Sequence, residues 1–221
     1  MEKIRIIIID DHHIVQLGLK KFFDSMEGFE VVAEAGDADS AIRLIDELGP
    51  DIAIIDISLK GNIDGIELTK AIKSRFSTKV LILSMHDEMI FIDRALRYGA
   101  DGYITKDEPS ELLVEAIQQV IKGNIYLTNS ISNRMINKMY NPTRTHGKAE
   151  EFNFTERELE VMKLIGTGCP TSEIARIMNI SAYTVESHRR NLREKLNLKD
   201  GAALLKWAIK WVNENSGKNS P

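Results

Sequence analysis

The stretch Ile4-Arg5-Ile6-Ile7-Ile8-Ile9-Asp10-Asp11 decides the fold. A run this rich in β-branched residues reads as a strand, and it stops at two adjacent aspartates, a combination that places acidic groups at the strand's carboxyl end. Similar short runs follow at 30–35, 52–55, 80–83 and 102–104, with helix-like stretches between and after them at 13–26, 38–48, 65–74, 88–98 and 109–121. Five β-then-α units of this length predict a doubly wound, five-stranded parallel sheet with helices on both faces. The three central runs are apolar throughout rather than alternating, as strands covered on both sides should be. Pro109 suits a helix start, where its missing N–H is not needed.

Outward from this core the chain changes character. The 221 residues carry a net charge of −4, unevenly spread. Residues 1–122 hold 14 Lys+Arg against 23 Asp+Glu, residues 123–152 hold 4 against 2, and residues 153–221 hold 11 against 8. An acidic front and a mildly basic back predict two modules with different partners. The expected organisation is a first domain at 1–123, a linker with a short helix at 124–152, and a second domain at 153–216. Residues 131–140 can form the short helix, and Asn141-Pro142-Thr143-Arg144-Thr145-His146-Gly147-Lys148 carries breakers and little apolar surface. The longest clearly apolar run, Ile6 to Ile9, is far short of the ~20 residues of a membrane span. The only cysteine, Cys169, rules out an intrachain disulfide. The expected location is the cytoplasm, with no membrane partner.

Ligands of such sheets bind at the carboxyl ends of the strands. There the first strand offers Asp10 and Asp11, the third Asp56, the fourth Ser84, and the fifth is followed by Lys106. Three carboxylates on one rim repel one another and invite a hard divalent cation, Mg²⁺, bound through oxygens. A hydroxyl and an ammonium beside them suit a phosphoryl group, and a carboxylate that accepts one becomes an acyl phosphate. Each residue alone reads as a cap, turn or surface residue, and only the coincidence of five at consistent strand ends raises the chemistry. Other motifs fail. Residues 37–40 begin like a calcium loop but lack its Gly and Glu positions. His12 and His13, adjacent at a helix start, do not face each other, and neither is expected to be a metal ligand. No dinucleotide or P-loop fingerprint is present.

The segments Ile-Ile-Asp-Asp-His (8–12), Asp-Ile-Ser-Leu (56–59), Ile-Asp-Gly (63–65), Leu-Ser-Met-His (83–86) and Gly-Tyr-Ile-Thr-Lys-Asp (102–107) resemble the receiver domain of two-component response regulators. The resemblance implies that Asp56 is the phosphoacceptor and that a histidine kinase supplies the phosphoryl group. It implies that Asp11 binds Mg²⁺ directly, Asp10 through water, and that the Ser58 backbone carbonyl is a further ligand. Ser84 and Lys106 take the places of the switch hydroxyl and the phosphate-binding lysine, and Tyr103 the aromatic switch position. One departure is Lys60, where the family commonly has Pro four residues after the phosphoacceptor. It adds positive charge near the pocket and bears on the phosphoryl lifetime.

The back of the chain reads as four helices without a strand pattern. Thr155 and Glu158 form a capping box at the first of them. A short helix, a turn at Asn179-Ile180-Ser181 and a longer helix at 183–196 follow the helix-turn-helix plan. At 100° per residue Val185, Leu192 and Leu196 share one face, with His188 at its edge. Tyr183, Glu186, Ser187, Arg190 and Glu194 lie opposite, flanked by Arg189 and Arg193. Residues 154–161, 173–175, 180–181 and 184–196 resemble the LuxR-type helix-turn-helix, and joined to a receiver they resemble the NarL/FixJ family. The resemblance implies a phosphorylation-controlled transcription factor, not an enzyme, that contacts promoter DNA as a homodimer through Thr184, Glu186, Ser187, Arg189, Arg190 and Arg193. Glu186 stands where many relatives have a basic residue, and it can accept from cytosine N4. Cys169-Pro170 replaces the usual Ser-type entry to the short helix, and Thr171 or Ser172 is expected to supply its cap. The last helix is apolar on more than one side, which predicts a second contact beyond its own core. Competing readings are a phosphotransfer enzyme that turns over through an aspartyl phosphate, and a constitutive DNA binder.

Overall fold

The structure, a computed structural model, describes residues 3–59, 63–85, 87, 89–140 and 154–215. Lys60 and the breaker-rich segment 141–148 lie outside the described residues. The chain divides into two compact units, Met1–Ile136 and Asn137–Pro221.

The first unit alternates β1 (Ile4–Ile9), α1 (His13–Asp24), β2 (Phe29–Ala35), α2 (Ala38–Leu48), β3 (Ile52–Ile55), α3 (Gly65–Arg75), β4 (Lys79–Ser84), α4 (Met89–Arg97), β5 (Gly102–Thr105) and α5 (Ser110–Ile121). All strand pairs are parallel, in the order β2-β1-β3-β4-β5-β6, where β6 is the short strand Tyr126–Leu127. The chain starts in the middle of the sheet and winds first to one side and then to the other, so the strand order reverses beside β1. That is where such sheets open a ligand crevice. The isoleucines explain the two-sided cover. Ile6 and Ile8 join Phe23, Ile54, Leu81, Leu113 and Ile117 in one core cluster, while Ile7 and Ile9, equally buried, point to the opposite face.

The structure adds a sixth strand to the expected five. β6 (Tyr126–Leu127) pairs with β5 through Gly102↔Tyr126 and Tyr103↔Leu127, and α6 (Asn129–Tyr140) follows it. Two residues are too few for a periodic signal. Glycine suits the close approach where β6 meets the sheet: a Cβ on Gly102 would sit 2.8 Å from the tip of Leu81 and 3.1 Å from the Tyr126 carbonyl, so both would have to give.

The second unit is helical: α7 (Glu156–Gly166), α8 (Thr171–Ile177), α9 (Ala182–Lys195) and α10 (Gly201–Asn215). The Thr155–Glu158 capping box forms as expected. α8 departs from expectation. Its N-cap is Pro170, which has no side chain able to accept from the first N–H groups, and Thr171, already inside the helix, donates its hydroxyl to Glu186 at 2.7 Å. The turn into α9 relies on Asn179 in the left-handed region (φ 51°), which asparagine tolerates, and Ser181 caps α9 by accepting from the Thr184 N–H. On α10, Leu204, Ala208 and Trp211 are buried, whereas Leu205 and Ile209 remain about 40% exposed.

Candidate phosphorylation pocket and nucleic-acid interface

Four strand ends build the pocket. β1 delivers Asp10 and Asp11, β3 delivers Asp56, β4 ends in Ser84, and β5 leads through Thr105 to Lys106, whose N–H donates to the Ser84 carbonyl at 2.7 Å. Asp10, Asp56 and Ser84 are buried. The Lys106 ammonium lies 2.7 Å from Asp10 Oδ2 and 3.1 Å from Asp56 Oδ2, so the lysine bridges the first and third strands from the fifth. Burial raises the Asp56 carboxyl above its ordinary value; Lys106 opposes the rise and the Asp10 charge adds to it. Burial works against the charged Lys106, but Asp56 and Asp10 outweigh it and its value is raised.

Ligand atoms of Asp10, Asp11, His12 and Asp56 lie within 4.8 Å of one another. Three clustered carboxylates form the oxygen-rich donor set that a hard cation requires. His12 joins them without His13: its Nδ1 is 2.8 Å from Asp11 Oδ1 and 3.3 Å from Asp10 Oδ1, and the ring stands at the exposed mouth. His13 turns instead to Gln16.

Two supports escaped the sequence reading. Buried Gln16 donates from Nε2 to the carbonyls of both Asp10 and Ala35, at 2.8 Å each, and so ties the ends of β1 and β2 together. The signal was a lone amide among Ile14, Val15 and Leu17. Gly65 is the second: a Cβ there would collide with the Asp56 carbonyl, while its own N–H donates to the Ile57 carbonyl at 2.9 Å. The start of α3 therefore lies directly against the Asp56 backbone. Tyr103 and Ser84 are both 0% exposed, and Ser58 sits beside Asp56, to whose carboxylate its N–H donates.

In the second unit α9 presents the expected faces. Val185 and Leu192 are buried and His188 is half-buried, while Tyr183, Glu186 and Arg190 are exposed. Burial holds the His188 imidazole below its ordinary value, against the pull of Glu158. Glu186 is more constrained than its sequence suggests. It accepts from Thr171 on α8 at 2.7 Å and faces Arg189 Nε at 3.6 Å, spanning both helices of the motif. Arg190 donates to Ser187 at 3.3 Å, and Thr184 is engaged with the Ser181 cap. Arg193 lies half-buried in the last turn of α9. The helix is braced from behind by Lys195, 2.6 Å from buried Glu158, whose carboxylate also closes the α7 cap. Sequence spacing does not disclose this pair, which is 37 residues apart.

An aspartate pocket on a doubly wound sheet, followed by a helix-turn-helix, defines a switchable DNA-binding regulator, and comparison with known proteins agrees. Residues 6–118 match the family of the response regulator receiver domain, and residues 153–208 match the bacterial regulatory proteins of the luxR family. The chain belongs to the NarL/FixJ response regulators, in which phosphorylation controls transcription. It is 34% identical over 210 residues to the oxygen regulatory protein NreC of Staphylococcus carnosus, covering 93% of this chain and 97% of that protein. It resembles RcsB from Salmonella enterica serovar Typhimurium bound to promoter rprA in the presence of the phosphomimetic BeF3− (27% identity, 94% and 99% of the two chains, TM-score 0.58). It also resembles the structure of two RcsB dimers bound to two parallel DNAs (28% identity, 94% and 98%, TM-score 0.59). Among the described residues no helix is long and apolar enough to cross a membrane.

Proposed function

We propose that Asp56 is the phosphoacceptor of this regulator and that a histidine kinase is its donor, in the cytoplasm. An Asp56 carboxylate oxygen attacks the phosphorus of a phosphohistidine. The P–O bond forms as the P–N bond breaks, and the departing imidazole nitrogen keeps the electron pair and takes up a proton. Asp10, Asp11, Asp56 and the Ser58 carbonyl would hold Mg²⁺, which when bound neutralises charge on the transferring phosphoryl oxygens. Lys106, already between Asp10 and Asp56, turns to a phosphoryl oxygen, and Ser84 donates its hydroxyl to another. The new charge of about −1.5 to −2 draws Ser84 and its loop inward and biases Tyr103, promoting a homodimer that binds promoter DNA. In that complex Arg189 and Arg193 contact phosphates, Arg190 contacts guanine or a phosphate, and Thr184, Glu186 and Ser187 lie toward the bases.

The observation that carries this reading is the convergence of Asp10 and Asp56, at the ends of two strands, within 3.1 Å of the Lys106 ammonium that follows a third. The test is mass spectrometry after treatment with a small phosphodonor and Mg²⁺. One acid-labile phosphoryl group is expected, lost in Asp56→Ala and retained, with weaker output, in Lys106→Ala. Labelling that persists in Asp56→Ala overturns the assignment.

A further inference from the structure

α6 follows the last βα unit and is held at two places. Its root is set by the sheet: β6 pairs with β5 beside Tyr103, and the buried Thr128 lies before the first turn, its carbonyl accepting from the Ser132 N–H at 2.9 Å. Beyond the root its anchorage is sparse. Among the described residues 129–137, only Ile131 is buried. One turn on, Arg134 reaches across 47 residues to the loop between β4 and α4. Its guanidinium donates to the Asp87 carboxylate at 3.1 Å and to the Asp87 backbone carbonyl at 2.6 Å. Asp87 is three residues beyond Ser84, the end of β4 at the pocket.

We infer that the Arg134–Asp87 contact is a latch, by which the phosphorylation state of the pocket controls whether α6 stays docked on the receiver unit. The inference rests on the assignment of Asp56 and Ser84 above. The fork of an arginine matches two acceptors only while they keep their relative positions. Moving the loop with Ser84 shifts the carboxylate and the carbonyl of Asp87 together and breaks both bonds at once. The pair is also weak enough to open: the Asp87 side chain is 71% exposed and that of Arg134 36%, so water competes for both. A buried pair would stay shut. The root does not open with it, because β6 and Ile131 keep the first turn in place. The latch therefore sets the freedom of α6 from Arg134 onward, the segment that leads in sequence to the DNA-binding unit. Both ends bear on the two positions expected to respond, Ser84 through the loop and Tyr103 through the β5–β6 pair.

The test is hydrogen exchange of the α6 amides in the full chain, with and without a small phosphodonor and Mg²⁺, with Asp56 loading measured by mass in the same samples. In wild type, exchange over 132–140 is expected to rise at least ten-fold on phosphorylation, while Tyr126, whose N–H donates to the Asp101 carbonyl at 3.0 Å, stays protected. Unphosphorylated Arg134→Ala should already exchange at the phosphorylated rate and bind DNA more tightly than unphosphorylated wild type, with unchanged loading of Asp56. Asp87→Ala should lie between the two, since the backbone carbonyl still accepts. Protection of α6 that is identical in loaded and unloaded wild type overturns the latch, as does full protection in Arg134→Ala. Failure of Asp56 to load overturns the phosphoacceptor assignment instead, and the Arg134→Ala and Asp87→Ala proteins then still decide whether the contact holds α6.

Discussion

Removing the Lys106 ammonium should cost the receiver unit more than its own contacts suggest. In Lys106→Met the stem volume is largely kept, but two carboxylates lose the cation lying 2.7 Å from Asp10 and 3.1 Å from Asp56. Breaking a buried pair by deleting one partner costs roughly 3–5 kcal/mol. The Lys106 side chain is 14% exposed, so water recovers part of this, and the lower end, about 3 kcal/mol, is expected. With a urea m-value of about 2 kcal/mol/M, the unfolding midpoint in chelator should fall by ~1.5 M. Mg²⁺ supplies the missing positive charge, and at ten times its Kd it stabilises by about 1.4 kcal/mol from mass action alone. The variant should therefore gain more from Mg²⁺ than wild type does, because its Kd is lower once the competing ammonium is gone. The assay is urea unfolding followed by circular dichroism, in chelator and across a Mg²⁺ titration. A midpoint in chelator within 0.3 M (roughly 0.6 kcal/mol at that m-value) of wild type would refute the reasoning, since the lysine would then not be compensating the carboxylates.

Three further outcomes follow from other parts of the molecule. Gly65→Ala should push α3 off the Asp56 carbonyl; overpacking costs about 1–3 kcal/mol, and phosphorylation by a small donor should slow about ten-fold, read by the rate of mass increase. His188, held by burial below its unfolded value of 6.5, binds fewer protons in the folded than in the unfolded state. The stability it allows is complete above pH 6.5 and declines as the pH falls below that value; His188→Gln should flatten the slope of urea stability between pH 7 and pH 5.5, and an unchanged slope would clear His188 of the effect. On DNA, Glu186→Ala should relax preference at one base position, whereas Arg189→Ala should weaken all sequences alike and lower the salt slope by about one. Site selection at several salt concentrations separates the two, and an unaltered preference in Glu186→Ala would leave that carboxylate only its Thr171 and Arg189 contacts.

The parts legible in the sequence are those with local or periodic signatures. Isoleucine runs ending in acidic residues gave away the strands and the pocket rim, and the Thr155–Glu158 spacing announced a cap that forms as read. What stayed hidden depends on residues far apart meeting in space. Lys195 with Glu158 and Arg134 with Asp87 are pairs of ordinary surface-type residues whose partners no local spacing reveals. Arg94, reaching Glu67 at 2.8 Å and Asp64 at 3.3 Å, is of the same kind. Thr171 shows how one position matters: its type suits a cap, but it is the first residue of α8, past the N-cap at Pro170, and its hydroxyl donates to Glu186 on the next helix.

The short sixth strand bears on how this protein can be taken apart. A receiver fragment ended at residue 123, where the fifth helix has just closed, would lack Tyr126 and Leu127 and leave the Gly102–Tyr103 edge of β5 bare. Unsatisfied parallel edges recruit other chains, so such a fragment should self-associate at high concentration. Extending it to Ile136, the last residue of the first compact unit, retains its own edge cover, and a soluble, monodisperse preparation is the practical return of two residues of strand.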